Sequence, residues 1–325
     1  MNGPATDCDA TPLGAVCVLG GLGFIGRHLC TALARAGYRV RVLDRARDGS
    51  SADPPADPAI EIVEGDAACP SDFFRAAHGV RVIVDLAYTT VPGTSMANPE
   101  QDVLGNVASA VSWLSRLGQT GVERVVSVSS GGTVYGVPRY FPIDEEHPTH
   151  PISSYGITKL AIEKYVAMYS ALANVGHAIV RPSNVYGPGQ RTDRGQGIVG
   201  VLLDRMMRGE AFDIWGTGRS VRDYLYVDDV VAALVAVIEY RGPVTVFNVS
   251  TGVGHSVLEV VETVERHTGC RSTVRHLAAR GFDVPANVLT SARLAAETGW
   301  TPHTSLDDGI ERTVASVRAW SARES

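Results

Sequence analysis

Residues 20–26 read Gly-Gly-Leu-Gly-Phe-Ile-Gly, between a short apolar run, Ala15 to Leu19, and a stretch whose apolar positions Ile25, Leu29 and Leu33 recur at helical spacing. The segment holds G-x-G-x-x-G at 21, 23 and 26, and G-x-x-G-x-x-G at 20, 23 and 26. Early glycines permit a positive φ and let the backbone approach a pyrophosphate. The last lets helix and sheet pack closely, and the first helical turn offers unpaired N–H groups to the anion. Gly20, Gly23, Phe24, Ile25 and Gly26 are therefore candidate cofactor contacts. A glycine turn can serve packing alone, but here strand, helix and a following acid stand together. Asp44 ends the next strand candidate, where a carboxylate can bind the adenosine ribose hydroxyls and repel a 2′-phosphate. NAD is thus favoured over NADP, although Arg45 and Arg47 follow directly. Asp66, in Glu64-Gly65-Asp66, can reach the adenine or merely close a turn.

Outward from that turn the chain alternates. Arg39 to Leu43, Ile60 to Val63, Val80 to Leu86, Arg124 to Val128 and His177 to Val180 are strand candidates. Helical patterns separate several of them, notably Asp102 to Leu117 and Ser154 to Ala173. Strands interleaved with helices mean βαβ units and a parallel sheet. The expected fold is α/β: a Rossmann-type doubly wound parallel sheet over residues 13–185 plus about 223–249. A smaller C-terminal α/β lobe is expected over about 186–222 plus 250–325. Within it, Gly197 to Arg208 and Ser256 to His267 read as helices, the second opened by an S-x-x-E capping box. The stretch Asp48 to Pro58, DGSSADPPADP, is too polar and Pro-rich to pack.

Composition excludes several classes. At roughly 150 residues per domain, 325 residues suggest two units. Apolar residues make up 45% and charged residues 20%, enough for a sizeable core. Lys plus Arg number 29 against 35 for Asp plus Glu, a net charge of -6, which disfavours nucleic acid or a membrane surface as partner. No apolar run reaches the ~18 residues of a membrane span, and the start, MNGPATDCDATPLG, lacks the marks of a signal peptide. Cysteines at 8, 17, 30, 69 and 270 show neither CxxC nor His spacing. They read as buried thiols of a reducing cytoplasm, with neither a disulfide frame nor a zinc site favoured.

Tyr155 and Lys159 open the second long helix four residues apart, on one face. A nearby ammonium favours the phenolate and is expected to lower the tyrosine pKa from ~10 toward neutrality, making a usable base. Upstream, Ser129-Ser130-Gly131-Gly132-Thr133-Val134-Tyr135-Gly136 directly follows a strand candidate, and hydroxyls there sit where ligands bind an open parallel sheet.

With these motifs the chain resembles an extended short-chain dehydrogenase/reductase, most closely the UDP-glucose 4-epimerase-like nucleotide-sugar epimerases. The resemblance runs from Val16 to about Ala319 through VLGGLGFIG, SSGGTVYG, YGITK, RPSNVYGPGQ and VRDYLYVDDV. It implies tightly held NAD, a nucleotide-sugar lobe, Tyr155 as acid/base and Lys159 on the nicotinamide ribose. It also implies a hydroxyl assisting at the sugar 4-OH. Many family members carry Ser or Thr where this chain has Gly131, so that hydroxyl must come from Thr133 or Ser130. Thr133 is favoured, because the loop should turn back toward the sugar just after it. Related 4,6-dehydratases place Asp-Glu where Gly132-Thr133 stands, and related decarboxylases a Glu at Thr133, so neither chemistry has its residues here.

On the substrate side, the resemblance implies that Asn184, Arg222 and Arg280 hold the sugar diphosphate, a task suited to guanidinium forks. Trp215 borders the base or simply packs. The activity implied is a UDP-hexose 4-epimerase working through a transient 4-keto sugar. A nucleotide-sugar 4-ketoreductase and a non-catalytic NAD-binding regulator are the alternatives. A homodimer is also implied, the helices at Asp102 to Leu117 and Ser154 to Ala173 packing across a two-fold axis. Val103, Val107, Val111 and Leu114 should make the first apolar on one face.

Overall fold

The computed structural model describes residues 14–45, 57–190, 197–279, 281 and 283–324. Arg47, Arg280 and all but the last two residues of the 48–58 stretch lie outside them.

The strands, in chain order, begin with β1 (Ala15–Leu19), β2 (Arg39–Asp44), β3 (Ile60–Glu64), β4 (Val82–Asp85), β5 (Arg124–Val128) and β6 (Gly176–Pro182). Then come β7 (Asn184–Tyr186), β8 (Phe212–Trp215), β9 (Val221–Tyr226) and β10 (Val246–Val249). Short strands β11 (Gly254–Ser256), β12 (Val274–Leu277) and β13 (Ala286–Asn287) complete the set. The main sheet has seven strands in the order β10-β6-β5-β4-β1-β2-β3, every neighbouring pair parallel. Strand order reverses beside β1, which opens a crevice at the carboxyl ends of β1 and β4. This is the doubly wound sheet expected.

Both faces of the sheet are covered over β1, β4 and β5, which is why those strands read as near-continuous apolar runs, whereas β2 and β3 toward the edge alternate with charged residues. Along β1, Val16 and Val18 enter one core with α1 (Phe24–Arg35), while Cys17 and Leu19 enter another with Phe73 and Trp113. Phe73 lies on α2 (Pro70–Ala77). The next helices are α3 (Pro92–Ala97), α4 (Pro99–Asp102) and α5 (Ser109–Leu114). A π-helical turn, Val103–Ala108, joins the last two. The extra residue in that turn rotates α5 relative to α4, so the single apolar face expected there does not form. Leu114 is fully buried, while Val103 and the neighbouring Leu104 stay exposed. α6 spans Ser154–Ala173 as the sequence predicts, capped by Ser153, whose hydroxyl accepts the Gly156 N–H at 3.2 Å.

The second lobe holds α7 (Ile198–Met207) and a sheet in which β9 pairs with β7, β11 and β13. β9, Val221–Tyr226, thus pairs wholly within that sheet. The chain then returns through α8 (Val227–Glu239) to β10 on the main sheet. α9 (Val257–Thr268) starts on the predicted capping box, Ser256 Oγ and Glu259 exchanging bonds with each other's backbone N–H. α10 (Ala292–Thr298) departs from the expected partition: Leu294 and Trp300 are buried in the core of the main sheet. Finally, α11 (Leu306–Glu324) packs on α9, with Ile310 and Val314 in the second lobe's core.

Candidate active site

A cleft of about 1190 Å³ runs between the lobes along the carboxyl ends of β1, β4 and β5. At one end, Gly20 takes a φ of +75° and its N–H donates to the Leu43 carbonyl at 2.9 Å. Gly26 packs so tightly that a Cβ there would lie 2.6 Å from the Gly20 oxygen. No side chain caps the first turn of α1, which leaves the amides of Phe24 and Ile25 available to an anion. The Asp44 carboxylate accepts the N–H of Leu22 and of Arg45, each at 2.9 Å, tying the end of β2 to the glycine turn. Asp66 lines the same end, but its Oδ1 accepts the Ala68 N–H at 2.8 Å, the turn-closing role.

Further in, Tyr155 and Lys159 face the cleft from α6. They do not interact as expected. Lys159 Nζ donates to the Val128 carbonyl at 2.9 Å and lies 3.9 Å above the Tyr88 ring, but 5.9 Å from the centre of the Tyr155 ring. Tyr88 also packs edge-on against Tyr155, centroids 4.9 Å apart. The Tyr155 pKa is raised, not lowered, first by burial and then by the Asp102 charge. Burial pulls Lys159 down to about 8, against the opposing pull of Asp85, Glu163 and Asp102.

The sequence motifs do not single out those three carboxylates. Asp102, fully buried, gathers Thr90 at 2.5 Å, Ser154 at 2.7 Å, Asn106 at 2.9 Å, Thr158 at 3.0 Å and Tyr88 at 3.4 Å. The π-turn lets Asn106 bond both Asp102 and, through its Oδ1, the Thr89 N–H at 2.8 Å. Glu163 forms a buried ion pair with Arg181 at 2.6 Å, and Arg181 continues to the Tyr135 hydroxyl at 2.9 Å. Asp85 ends β4. For this one residue a signal does exist: an acid closing an apolar run, the pattern that points to Asp44, recurs in Val82-Ile-Val-Asp85.

Ser130, Gly132 and Thr133 line the cleft opposite α6. Thr133 Oγ1 is shielded from solvent and has no hydrogen-bond partner among the described residues. Asn184 and Arg222 line the far end, whereas Arg280 is outside the described residues. Arg222 is mostly buried, and its Nη1 donates to the carbonyl of its neighbour Val221 at 2.8 Å, with no ion pair among the described residues. Burial holds its guanidinium below the usual range, with Tyr224 and Asp283 opposing. Such a cation, buried without an ion pair, is costly unless a ligand's charge meets it.

Comparison with known proteins settles the lineage. Residues 16–250 match the NAD dependent epimerase/dehydratase family. The chain belongs to that family. Among its relatives, the UDP-glucose 4-epimerase of Mycolicibacterium smegmatis is 33% identical over 308 residues, 93% of this chain and 97% of that protein. The Escherichia coli dTDP-4-dehydro-6-deoxyglucose reductase is 33% identical over 247 residues, 74% of this chain and 76% of that one. A solved structure of the Thermotoga maritima UDP-glucose 4-epimerase with UDP-glucose superposes with a TM-score of 0.87 at 31% identity, covering 94% of this chain and 99% of that one.

The residues present fit the family's NAD. Gly20 and Gly26 let the turn close against the backbone of Ala87 and of Gly20-Gly21 where no side chain fits, the uncapped turn of α1 suits a pyrophosphate, and Asp44 lines the same end of the cleft, where ribose hydroxyls would be met. Among the described residues no helix is long and apolar enough to cross a membrane.

Proposed function

We propose that this chain is an NAD-dependent nucleotide-sugar 4-epimerase that acts on a UDP-hexose through a transient 4-keto sugar. The observation that carries this reading is a cleft lined by Tyr155 and Lys159 from one helix, with no acid–base pair at Gly132-Thr133 that could eliminate water. NAD supplies the hydride acceptor and donor. Tyr155, ionised against the burial that raises its pKa, takes the proton of the sugar 4-OH as the phenolate and later returns one to the 4-oxygen as the phenol. Lys159, held by the Val128 carbonyl, presents its ammonium to the cofactor side. Thr133 is the assisting hydroxyl, its Oγ1 having no protein partner to leave, with Ser130 as the other candidate. Arg222, Asn184 and Arg280 grip the diphosphate while the hexose turns over between the two hydride transfers. The open-ended cleft gives the hexose room for that rotation.

Two copies form the working unit in this reading. Ile157, Met168 and Leu172 on α6, with Val103 and Leu104 on the π-turn, are exposed apolar residues that a two-fold partner would cover. Sedimentation at micromolar concentration should give a dimer, and Leu172→Glu should weaken it. A cytoplasmic setting agrees with free Cys17, Cys30, Cys69 and Cys270.

The likeness to the E. coli reductase favours one second reading, a 4-ketoreductase with a dissociable cofactor. Incubating purified protein with UDP-glucose separates the two. UDP-galactose formed with no net change in NAD supports epimerisation. Turnover only of a 4-keto sugar with consumption of NADH or NADPH supports reduction. No turnover of any nucleotide sugar leaves a non-catalytic NAD-binding protein.

A further inference from the structure

We infer that Asp85 is a positioning residue for Lys159: its carboxylate, at the end of β4, is the counter-charge that holds the lysine as an ammonium under the cofactor site. This rests on the proposed role of Lys159 at the cofactor.

Asp85 is buried and lines the cleft. Across the β4–β5 register it faces Ser127, and the next carbonyl along β5, Val128, is the one that Lys159 Nζ bonds. The Lys159 ammonium, reaching from α6 to the end of β5, thus bonds the residue next to the one that Asp85 faces from β4. The groups facing Lys159 are Asp85 from β4, Asp102 from α4, Glu163 and Tyr155 from its own helix, and Tyr88 from the loop after β4. Two of the carboxylates are already committed. Asp102 is surrounded by donors from Thr90, Asn106, Ser154, Thr158 and Tyr88, and Glu163 is ion-paired with Arg181. Among the described residues Asp85 has only two long bonds, from the Ala87 N–H at 3.2 Å and the Ser127 hydroxyl at 3.4 Å. A buried carboxylate so thinly solvated depends on a cation.

The electrostatics agree in both directions. Burial pushes Asp85 up to about 6, with Lys159 first among the influences opposing it. For Lys159, Asp85 is first among the charges that oppose its fall. Tyr88 supplies the other half of the seat, its ring face 3.9 Å from the ammonium.

The chain contains only two lysines, Lys159 and Lys164, which makes a direct test feasible. Protein labelled with ¹³C at lysine Cε, NAD-loaded as purified and carrying Lys164→Arg, gives a single side-chain signal whose pH titration reports Lys159 alone. Asp85→Asn should lower the Lys159 midpoint by about one pH unit or more, since it deletes the attraction and keeps the shape. A midpoint unmoved within ~0.3 units overturns the inference. Should the Asn variant not fold, the parent signal decides: a second inflection at acidic pH, above the ordinary carboxylate range because burial raises Asp85, supports the inference and its absence overturns it. Because this readout needs no turnover, it stands whether or not UDP-glucose is epimerised. If it is, the alkaline limb of the rate profile should move down with the midpoint.

Discussion

Leu289 of the second lobe occupies the space a side chain at Gly131 would need: a Cβ there would lie 2.3 Å from Leu289 Cδ1 and 2.9 Å from the Arg181 carbonyl oxygen. A side chain at position 131 therefore has no room unless its neighbours shift. Gly131→Ser should cost about 1–3 kcal/mol of stability by overpacking. Combined with Leu289→Ala, the two losses should be sub-additive by about 1 kcal/mol, because the second change frees room for the first. Denaturant melts of the four proteins measure this cycle, and strict additivity would show that Leu289 is not the obstacle.

With position 131 closed, the assisting hydroxyl must come from a neighbour. Thr133→Val should lower kcat about tenfold to a hundredfold at saturating UDP-glucose, the worth of one transition-state hydrogen bond. Ser130→Ala should cost less. Tyr155→Phe should cost a factor on the order of 10² or more with NAD content unchanged. A larger kcat loss for Ser130→Ala than for Thr133→Val reverses the assignment of the hydroxyl.

Burial of Lys159 also predicts a stability profile. Its pKa is lowered to about 8 from an ordinary 10.5, so between those values the unfolded chain binds a proton that the folded chain does not. Stability must then rise with pH across that window, by up to ~1.4 kcal/mol per pH unit from this group. The gain should be seen for the parent relative to Lys159→Met when both are melted in urea at pH 8, 9 and 10. A flat difference would mean that the lysine is solvated.

Arg222 sets function against stability. Its guanidinium is buried without an ion pair among the described residues. Arg222→Met should raise KM for UDP-glucose by about tenfold to a hundredfold, the loss of a charge-assisted diphosphate contact. The same change should leave the melting temperature equal or higher, since a buried cation is replaced by a polarizable apolar chain. A variant with unchanged KM would remove Arg222 from the diphosphate site.

Legibility in the sequence depends on locality. The turn at Gly20–Gly26, the strand ends and the helix bearing Tyr155 and Lys159 can be read because their chemistry depends on spacings of three, four or a strand's length. The Tyr155 pKa cannot. Spacing puts Lys159 on the same face, but Tyr88, a distant residue, takes the ammonium, and Asp102 adds a negative charge beside the phenol. The π-turn at Val103–Ala108 hides Asp102 and Asn106, since it breaks the 3.6-residue period by which a face is recognised. Likewise, no pattern in residues 292–300 announces that Leu294 and Trp300 return to the first core.

That return has a bearing on how the chain is made. Its seventh sheet strand, Val246–Val249, and the helix that covers it, Ala292–Thr298, are made more than 200 residues after β1, yet both complete the core that Val16 and Val18 enter. A nascent chain cannot complete the core of the nucleotide-binding half until residue 300 has left the ribosome. Chimaeras that exchange the second lobe at a single cut near residue 186 would strip the first of its edge strand and of Trp300. A graft aimed at new sugar specificity has to leave 246–249 and 292–300 with the host.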